Sequence, residues 1–212
     1  MDPFKKHQGI LAPLDLSNVD TDQIIAKQFL KSIKRTGFGE FLFYDWRYQA
    51  DGKPNAEFSL NHPAFKKASI LVARNNFGCG SSREHAVWAI HQYGFQAVIA
   101  PYKENAGARI PAFADIFRNN SYKNALLPIE LSESEVDFIF DQIQKNPGLQ
   151  ATIDLTSQSV IVHSNPEKKF SFHIDPSIKH RMIEGLDDIG ISLQKETDIS
   201  VFEKKHNTQL SR

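Results

Sequence analysis

One glycine-containing turn sets the architecture of this chain, and its sequence is Asn75-Asn76-Phe77-Gly78-Cys79-Gly80-Ser81-Ser82-Arg83-Glu84-His85. The run Ser69–Ala73 just before it is apolar and has the length of a buried strand. The segment Ser81–Tyr93 after it places its apolar residues on one side of a helix, and Gly94 is a suitable helix end. The turn is therefore predicted to join a buried strand to a helix.

The same alternation of strand and helix continues after the turn. Phe95–Ala100 is predicted as a strand, Ile110–Asn120 as a helix, and Ala125–Ile129 as a third strand closed by Pro128. Strand–helix–strand order favours a parallel sheet with helices packed on it. Ligands of such sheets bind at the carboxyl ends of the strands, which is where the turn lies.

The N-terminal part of the chain is expected to add one strand and a set of loops. Phe4–Leu11 has strand character, and the polar stretch Asp15–Asp22 is expected to be a loop. Ile24–Ile33 is predicted as a short helix. Gln49–Pro63 contains two prolines, two asparagines and a glycine, which indicates a surface loop.

The C-terminal part is expected to add a helix and a small antiparallel extension. Ser132 and Glu135 have the spacing of a capping box for a helix that runs to about Lys145. The extension is predicted from three short strands, Ala151–Leu155, Ser159–His163 and Phe170–Ile174. From Ile178 onward the sequence is helical in pattern. We expect one domain over residues 1–212, with a polar, helical or frayed tail from about residue 194.

Composition narrows the classes of function. Lys plus Arg equals Asp plus Glu at 25 each, so no strong field draws in a nucleic acid or an anionic membrane. Residues 1–6 lack the apolar run of a signal peptide, and no stretch approaches the roughly 20 apolar residues of a membrane span. We expect a cytoplasmic protein with no nucleic-acid or membrane partner. Cys79, the one cysteine, cannot form an internal disulfide or hold a metal cluster by itself.

The turn offers two explanations for its polar residues. Backbone N–H groups at a helix start attract anions, and Arg83 in the first helical turn needs an anion to offset the helix dipole. A carboxylate ligand would supply that anion. Alternatively, Ser81 and Glu84 have capping-box spacing and would simply hold the helix end.

Other nucleotide and hydrolase motifs do not fit these residues. A Walker loop needs Gly-Lys-Ser or Gly-Lys-Thr, whereas Gly80 is followed by Ser81 and Ser82. The dinucleotide fingerprint requires a glycine where Arg83 stands. A nucleophile elbow needs glycines on both sides of one serine, which neither serine has.

The turn resembles the signature of the aconitase swivel domain in its isopropylmalate dehydratase form. The matching run is Asn76 to Ala86. Further similar segments occur in the same order along the chain, at Asn18 to Ile25, Lys27 to Leu30, Arg35 to Gly39, Asn119 to Ser121 and Asn124 to Pro128. The resemblance implies an α/β fold, the three-layer β/β/α swivelling domain of the aconitase C-terminal domain type.

The resemblance also implies roles for individual residues. Ser81 would be the catalytic base that takes the substrate's C–H proton, and Ser82 would help to hold the substrate. Arg83 would bind a substrate carboxylate through two parallel N–H bonds. Asp22 would orient a histidine of the cluster-bearing part, or alternatively cap the helix after it. Arg35 would bind the second carboxylate, although the segment around it matches the aconitase sequence poorly.

Three neighbours of these residues are assigned structural roles. Cys79 is expected to be a small buried thiol rather than a nucleophile. His85 is expected to fix the helix start and Glu84 to belong to the capping box. No metal site is proposed, because the other histidines lack metal-ligand spacing.

The resemblance implies a hydro-lyase that needs a second chain. A large subunit would bring a 4Fe-4S cluster, and this chain would supply the base for converting 2-isopropylmalate to 3-isopropylmalate, a step of leucine biosynthesis. The partner would be that large subunit, in a heterodimer or larger complex, with a small dicarboxylate as substrate. Two alternatives stay open: the small subunit of a homoaconitase or citraconate-type hydro-lyase, and a non-catalytic anion-binding or scaffold protein of the same fold.

Overall fold

The computed structural model describes residues 1–31, 35–81, 83–193 and 195–206. The strands are β1 (Lys6–Leu14), β2 (Ala68–Ala73), β3 (Ala97–Pro101), β4 (Lys103–Asn105), β5 (Ala108–Ile110), β6 (Leu127–Leu131), β7 (Gln150–Asp154), β8 (Ser159–Val162) and β9 (Lys168–Ser171). The helices are α1 (Thr21–Ile24), α2 (Tyr44–Arg47), α3 (Glu84–Tyr93), α4 (Asp115–Lys123), α5 (Glu133–Lys145), α6 (Pro176–Glu184), α7 (Asp188–Leu193) and α8 (Glu196–His206). Short 3₁₀ turns lie at Lys27–Lys31, Gly39–Phe41, Ser59–Asn61 and Pro63–Phe65.

Seven strands form one mixed sheet in the order β6-β3-β2-β1-β7-β8-β9. The four strands from β6 to β1 are parallel to one another, and β7, β8 and β9 continue the sheet antiparallel from β1. The parallel sheet and the antiparallel extension expected from the sequence are therefore both present, and β1 joins them.

The parallel half of the sheet is the centre of the core. Every residue of β3 is buried, and so is every residue of β2 except Ser69. Near-continuous apolar strands of this kind are typical of parallel sheets covered on both faces. One face is covered by α5, which packs on β1, β2 and β3 through buried residues one turn or two turns apart, Val136, Ile139 and Ile143. The predicted capping box of α5 is present, since Ser132 and Glu135 bond reciprocally.

The predicted helix Ile24–Ile33 is wrong. α1 ends at Ile24, and Ile25 is extended, with φ −141° and ψ 116°. Both isoleucines are fully buried. In a continuous helix, successive side chains point about 100° apart around the helix axis. The interruption after Ile24 lets two consecutive β-branched side chains enter the core. A 3₁₀ turn follows over Lys27–Lys31, and residues 32–34 lie outside the described residues.

The predicted start of the next helix at Ser81 is also wrong. α3 begins at Glu84 with Arg83 at the N-cap, and no side chain caps it. The Ser81–Glu84 capping box is therefore absent, and Glu84 Oε1 instead accepts a hydrogen bond of 2.9 Å from Asn124 Nδ2. Arg83, which was expected inside the helix, is extended instead, with φ −126° and ψ 111°.

The segment predicted as the helix Ile110–Asn120 is only partly helical. Its first residue belongs to a hairpin of β4 and β5, and α4 begins at Asp115. Pro128 lies inside β6 rather than closing a strand, which is possible because β6 is an edge strand. Within the described ranges, none of the helices combines the length and apolar character that crossing a membrane would take.

Candidate active site

The turn after β2 is fastened to a neighbouring chain segment on each side. On one side Gly78 N donates to Val19 O at 2.8 Å and Thr21 N donates to Cys79 O at 2.9 Å. On the other side Phe77 pairs with the loop before α4, through Phe77 N to Ala112 O at 2.9 Å and the return bond from Ala114 at 3.1 Å. The turn is thus a short backbone ladder at the carboxyl edge of the parallel strands.

Gly78 is required by both conformation and space. Its φ is +74°, a region that L side chains rarely adopt. A Cβ at this position would stand 2.2 Å from the Phe117 ring. Gly80 also has a positive φ of +88°, but an added Cβ there would meet its nearest neighbour, Asp20 Cβ, at an ordinary 3.4 Å. Gly78 therefore lets the turn lie directly on α4.

Ser81 is exposed and lies at a pocket of about 300 Å³. Its main-chain carbonyl accepts a hydrogen bond of 2.9 Å from Thr21 Oγ1, which fixes the backbone from which the hydroxyl projects. The pocket is lined by residues of the turn, of α1 and of the start of α4, namely Thr21, Gly78, Gly80, Ser81, Arg83, Ala114, Asp115, Ile116 and Phe117.

Arg83 lies in the same pocket and is paired with Asp22. The ion pair joins Arg83 Nη1 to Asp22 Oδ1, and the Arg83 side chain is only 17% exposed. The second carboxylate oxygen of Asp22 faces Lys27 Nζ at 3.5 Å. A cation next to a helix N-terminus is unfavourable unless an anion compensates it. Here the compensating carboxylate comes from the chain itself.

Asp22 does not cap a helix. The N-cap of α1 is Asp20, whose side chain accepts from Gln23 N at 2.8 Å, while Asp20 N donates to Gln23 Oε1 at 2.9 Å. The capping alternative considered for Asp22 is therefore wrong. The capping box leaves the Asp22 carboxylate available to Arg83.

Arg35 is not among the described residues that line this pocket. Its guanidinium lies over the Trp88 ring at 5.8 Å from the centroid. Its main-chain oxygen accepts from Gln92 Nε2 at 2.7 Å, and Gln92 Oε1 accepts from Phe38 N at 2.9 Å. The structure therefore brings together Ser81, Arg83 and Asp22, and holds Arg35 farther along α3.

Two further described residues of the turn, Cys79 and His85, have surroundings that do not favour a reactive group. Ser82 lies outside the described residues. Cys79 is half-buried rather than fully buried, and burial, assisted by the nearby Asp20 carboxylate, raises the pKa of its thiol. A raised pKa disfavours the thiolate, which is the nucleophilic form. His85 packs edge-on against Phe38, at 5.1 Å between ring centroids.

The start of α4 was missed as part of the site. Residues 114–117 form one wall of the pocket, opposite the turn. β2 and β3 are adjacent and parallel, so both strands end at the same edge of the sheet. The segment that follows β3 therefore begins at the edge where the turn after β2 lies. The order of strands and helices in the sequence indicates this placement. The predicted helix from Ile110, however, puts residues 114–117 inside the helix rather than at its start. Thr21 binds the Ser81 carbonyl, which lies 60 positions away in the chain. No pattern in the neighbouring sequence predicts such a contact.

Comparison with known proteins gives a consistent family. A model of the aconitase C-terminal domain matches residues 1–134. The 3-isopropylmalate dehydratase small subunit of Desulforapulum autotrophicum is 56% identical over 208 residues, which are 98% of this chain and 97% of the relative. The protein of the same name from Brevibacillus brevis is 52% identical over 205 residues, covering 97% of this chain and all of the relative.

A solved structure confirms the expected fold class. The crystal structure of a 3-isopropylmalate dehydratase from Methanocaldococcus jannaschii aligns with a TM-score of 0.62 at 24% identity, covering 93% of this chain and 99% of that one. The two sequence relatives match nearly end to end, so the similarity is not limited to the turn. This chain therefore belongs to the aconitase C-terminal domain family and, within it, to the small subunits of 3-isopropylmalate dehydratase.

Proposed function

We propose that this chain works with a larger iron–sulfur subunit to convert 2-isopropylmalate into 3-isopropylmalate by dehydration and rehydration. The observation that carries the proposal is the exposed Ser81 at a pocket that Arg83 also lines. The names of the two close relatives agree with this substrate. As a biosynthetic enzyme it would act in the cytoplasm.

Ser81 is the proposed base. As an alkoxide, its oxygen would take the proton from the substrate carbon next to the one that loses hydroxide and so become a hydroxyl, which would give the proton to the other carbon after the intermediate has formed. A serine hydroxyl is a weak base, so the negative charge on its oxygen must be stabilised. The positive charge of Arg83 and the preorganised turn supply a fixed electrostatic environment for that charge.

Arg83 is the proposed clamp for a substrate carboxylate. A guanidinium carries five N–H donors in a planar fork. With Nη1 directed at Asp22, the remaining donors can face the pocket. Asp22 would thus orient the guanidinium in addition to any contact that it makes with the partner subunit. Arg35, which lies on Trp88, would reach a second carboxylate only from the side of α3.

The residues of this chain do not fit an iron–sulfur cluster. Cys79 is its only cysteine, and the described residues include no group of three or more His, Cys, Asp or Glu side chains able to hold a metal. We therefore assign the 4Fe-4S cluster to the large subunit, where it would act as a Lewis acid on the departing hydroxyl. Every role proposed for this chain is one of proton transfer, binding or orientation.

The proposal is tested by producing the chain together with its large partner and assaying isopropylmalate, citrate, homocitrate and citraconate. We expect turnover with isopropylmalate. Preferential turnover of homocitrate or of a citraconate-type substrate would instead support the alternative hydro-lyase small subunit. A stable complex that turns over none of these substrates would contradict the proposal and favour the scaffold alternative.

A further inference from the structure

The exposed large apolar side chains among the described residues fall into two groups. In the described part of the chain, three of them lie at the carboxyl edge of the parallel strands: Leu16 after β1, Ile110 in β5 and Ile116 in α4. The other five all lie in α7 and α8, namely Ile189, Leu193, Ile199, Val201 and Phe202. Scattered single apolar residues need no explanation, but a concentration in one segment indicates an interaction surface.

The spacing in the tail is that of helices with an apolar side. Ile189 and Leu193 are one turn apart on α7, at 70% and 60% exposure. Ile199 and Phe202 are likewise one turn apart on α8, where Phe202 stacks only on His206 of the same helix among the ring contacts described. Helices of this length are marginal in water by themselves, so an apolar side left open is expected to find a partner.

The beginning of the tail is held firmly against the body of the protein. Gly185 ends α6 with φ +68°, and its carbonyl accepts a hydrogen bond of 3.1 Å from the Met1 ammonium group. A Cβ on Gly185 would stand 2.6 Å from Met1 O. The tail therefore leaves the body next to the start of β1. Since β1 spans roughly 30 Å, this is the opposite edge of the sheet from Ser81.

We propose that α7 and α8 are a docking surface for the cluster-bearing large subunit, separate from the contact at the active site. The inference rests on the proposed function, which requires that subunit to meet Ser81. Three apolar side chains at the active-site edge are few for a stable interface, which takes about 800 Å² per partner. A second attachment on the same partner raises affinity without changing the catalytic contact.

The comparisons with known proteins indicate which partner binds α7 and α8. The aconitase C-terminal domain model ends at residue 134, whereas the relatives named as small subunits match almost the whole chain, tail included. The tail is thus shared with chains that are named as small subunits. Because chains named as small subunits have a large subunit in common and also share this tail, the proposal commits to the large subunit as the occupant.

The test measures assembly of the full-length chain with its purified large subunit by sedimentation and by activity titration. Leu193→Asp and Phe202→Asp each place a charge in the proposed apolar surface. Thr197→Asp is the matched control, because it adds the same charge at an exposed polar position of α8. We expect each apolar variant to raise the Kd at least about tenfold and the control to leave it within about twofold. Activity at saturating large subunit should be equal in all three.

Each outcome decides a different point. Unchanged thermal unfolding of the lone variants shows that they fold, and a variant that unfolds is replaced by Leu193→Ser or Phe202→Ser. Equal Kd values for the apolar variants and the control would overturn the proposed docking surface and leave the proposed function standing. A shift in the sedimentation of the lone chain, with unchanged affinity for the large subunit, would overturn it in favour of self-association. A wild-type pair that assembles but lacks turnover contradicts the proposed function, while the Kd series still decides the docking.

Discussion

Replacement of Arg83 by lysine separates charge from geometry in the proposed site. Lysine keeps one positive charge but offers a single ammonium in place of a planar fork. In the structure the guanidinium directs Nη1 at Asp22 while its side chain lines the pocket. An ammonium cannot make both contacts in the same arrangement. We therefore expect Arg83→Lys to lose the paired contact with the substrate carboxylate.

The size of the effect follows from the burial of the two partners. Arg83 is 17% exposed and Asp22 is 40% exposed, so water screens the pair only in part. A hydrogen bond to a charged group contributes about 1.5–3 kcal/mol, which corresponds to a fall in kcat/KM of roughly 10- to 150-fold. The effect on folding should be smaller, at most about 1 kcal/mol, because a partly exposed ion pair contributes little to stability.

The assay follows the ultraviolet absorbance of the conjugated intermediate 2-isopropylmaleate in the assembled enzyme. Arg109→Lys is the matched control, because Arg109 also pairs with a carboxylate, Glu130 at 3.0 Å, but does not line the pocket of Ser81. Arg83→Lys with the kcat/KM of the wild type would refute the clamp. An equal loss in both variants would show a general effect of exchanging arginine for lysine.

Three further predictions concern the same turn. Ser81→Ala should lower kcat by at least about 100-fold, with assembly intact, because positioned proton transfer contributes about 10²- to 10⁴-fold; activity within about tenfold of the wild type would remove Ser81 as the base. The purified chain should be colourless, free of stoichiometric iron and inactive alone. Cys79→Ser should leave the iron content and turnover of the complex unchanged. Iron bound by the lone chain, measured by elemental analysis, would contradict this prediction. Gly78→Ala should destabilise the chain by about 2–4 kcal/mol in denaturant unfolding, because the added methyl group meets Phe117 at 2.2 Å. At Gly37, φ is +92° and no atom of the described residues beyond its two chain neighbours lies within 4 Å of an added Cβ. Gly37→Ala should therefore cost only the smaller free energy of the strained backbone, and equal losses in the two variants would contradict the steric argument.

Patterns with a strong local signal predicted the fold well. The buried run of β2, the capping box of α5 and the glycine at the end of α3 were each visible in a few consecutive residues. The family and the fold class followed from the turn and were confirmed by the relatives and the solved structure. The failures at Ser81 and at Ile24–Ile33 share a cause. In both, short-range propensity favoured a longer helix, and tertiary contacts favoured an interruption.

The site could be predicted only as a set of residues, not as an arrangement. Sequence resemblance selected Ser81, Arg83 and Asp22, but gave no indication that the last two form an ion pair across 61 positions of the chain. Such a pair depends on α1 and the start of α3 meeting in three dimensions. The contribution of residues 114–117 depends in the same way on the neighbouring parallel strand.

The backbone ladder on both sides of the turn has a consequence for the rate of assembly. Its main-chain amides, at Phe77, Gly78 and Thr21, are already bonded in the lone chain. Hydrogen–deuterium exchange at these amides should therefore be slow before the large subunit binds, and should change little afterwards. Because these bonded residues of the ladder need no ordering on encounter, they lose little conformational entropy when the subunits meet. The association rate should then depend on diffusion and orientation of the two surfaces rather than on rearrangement of this loop.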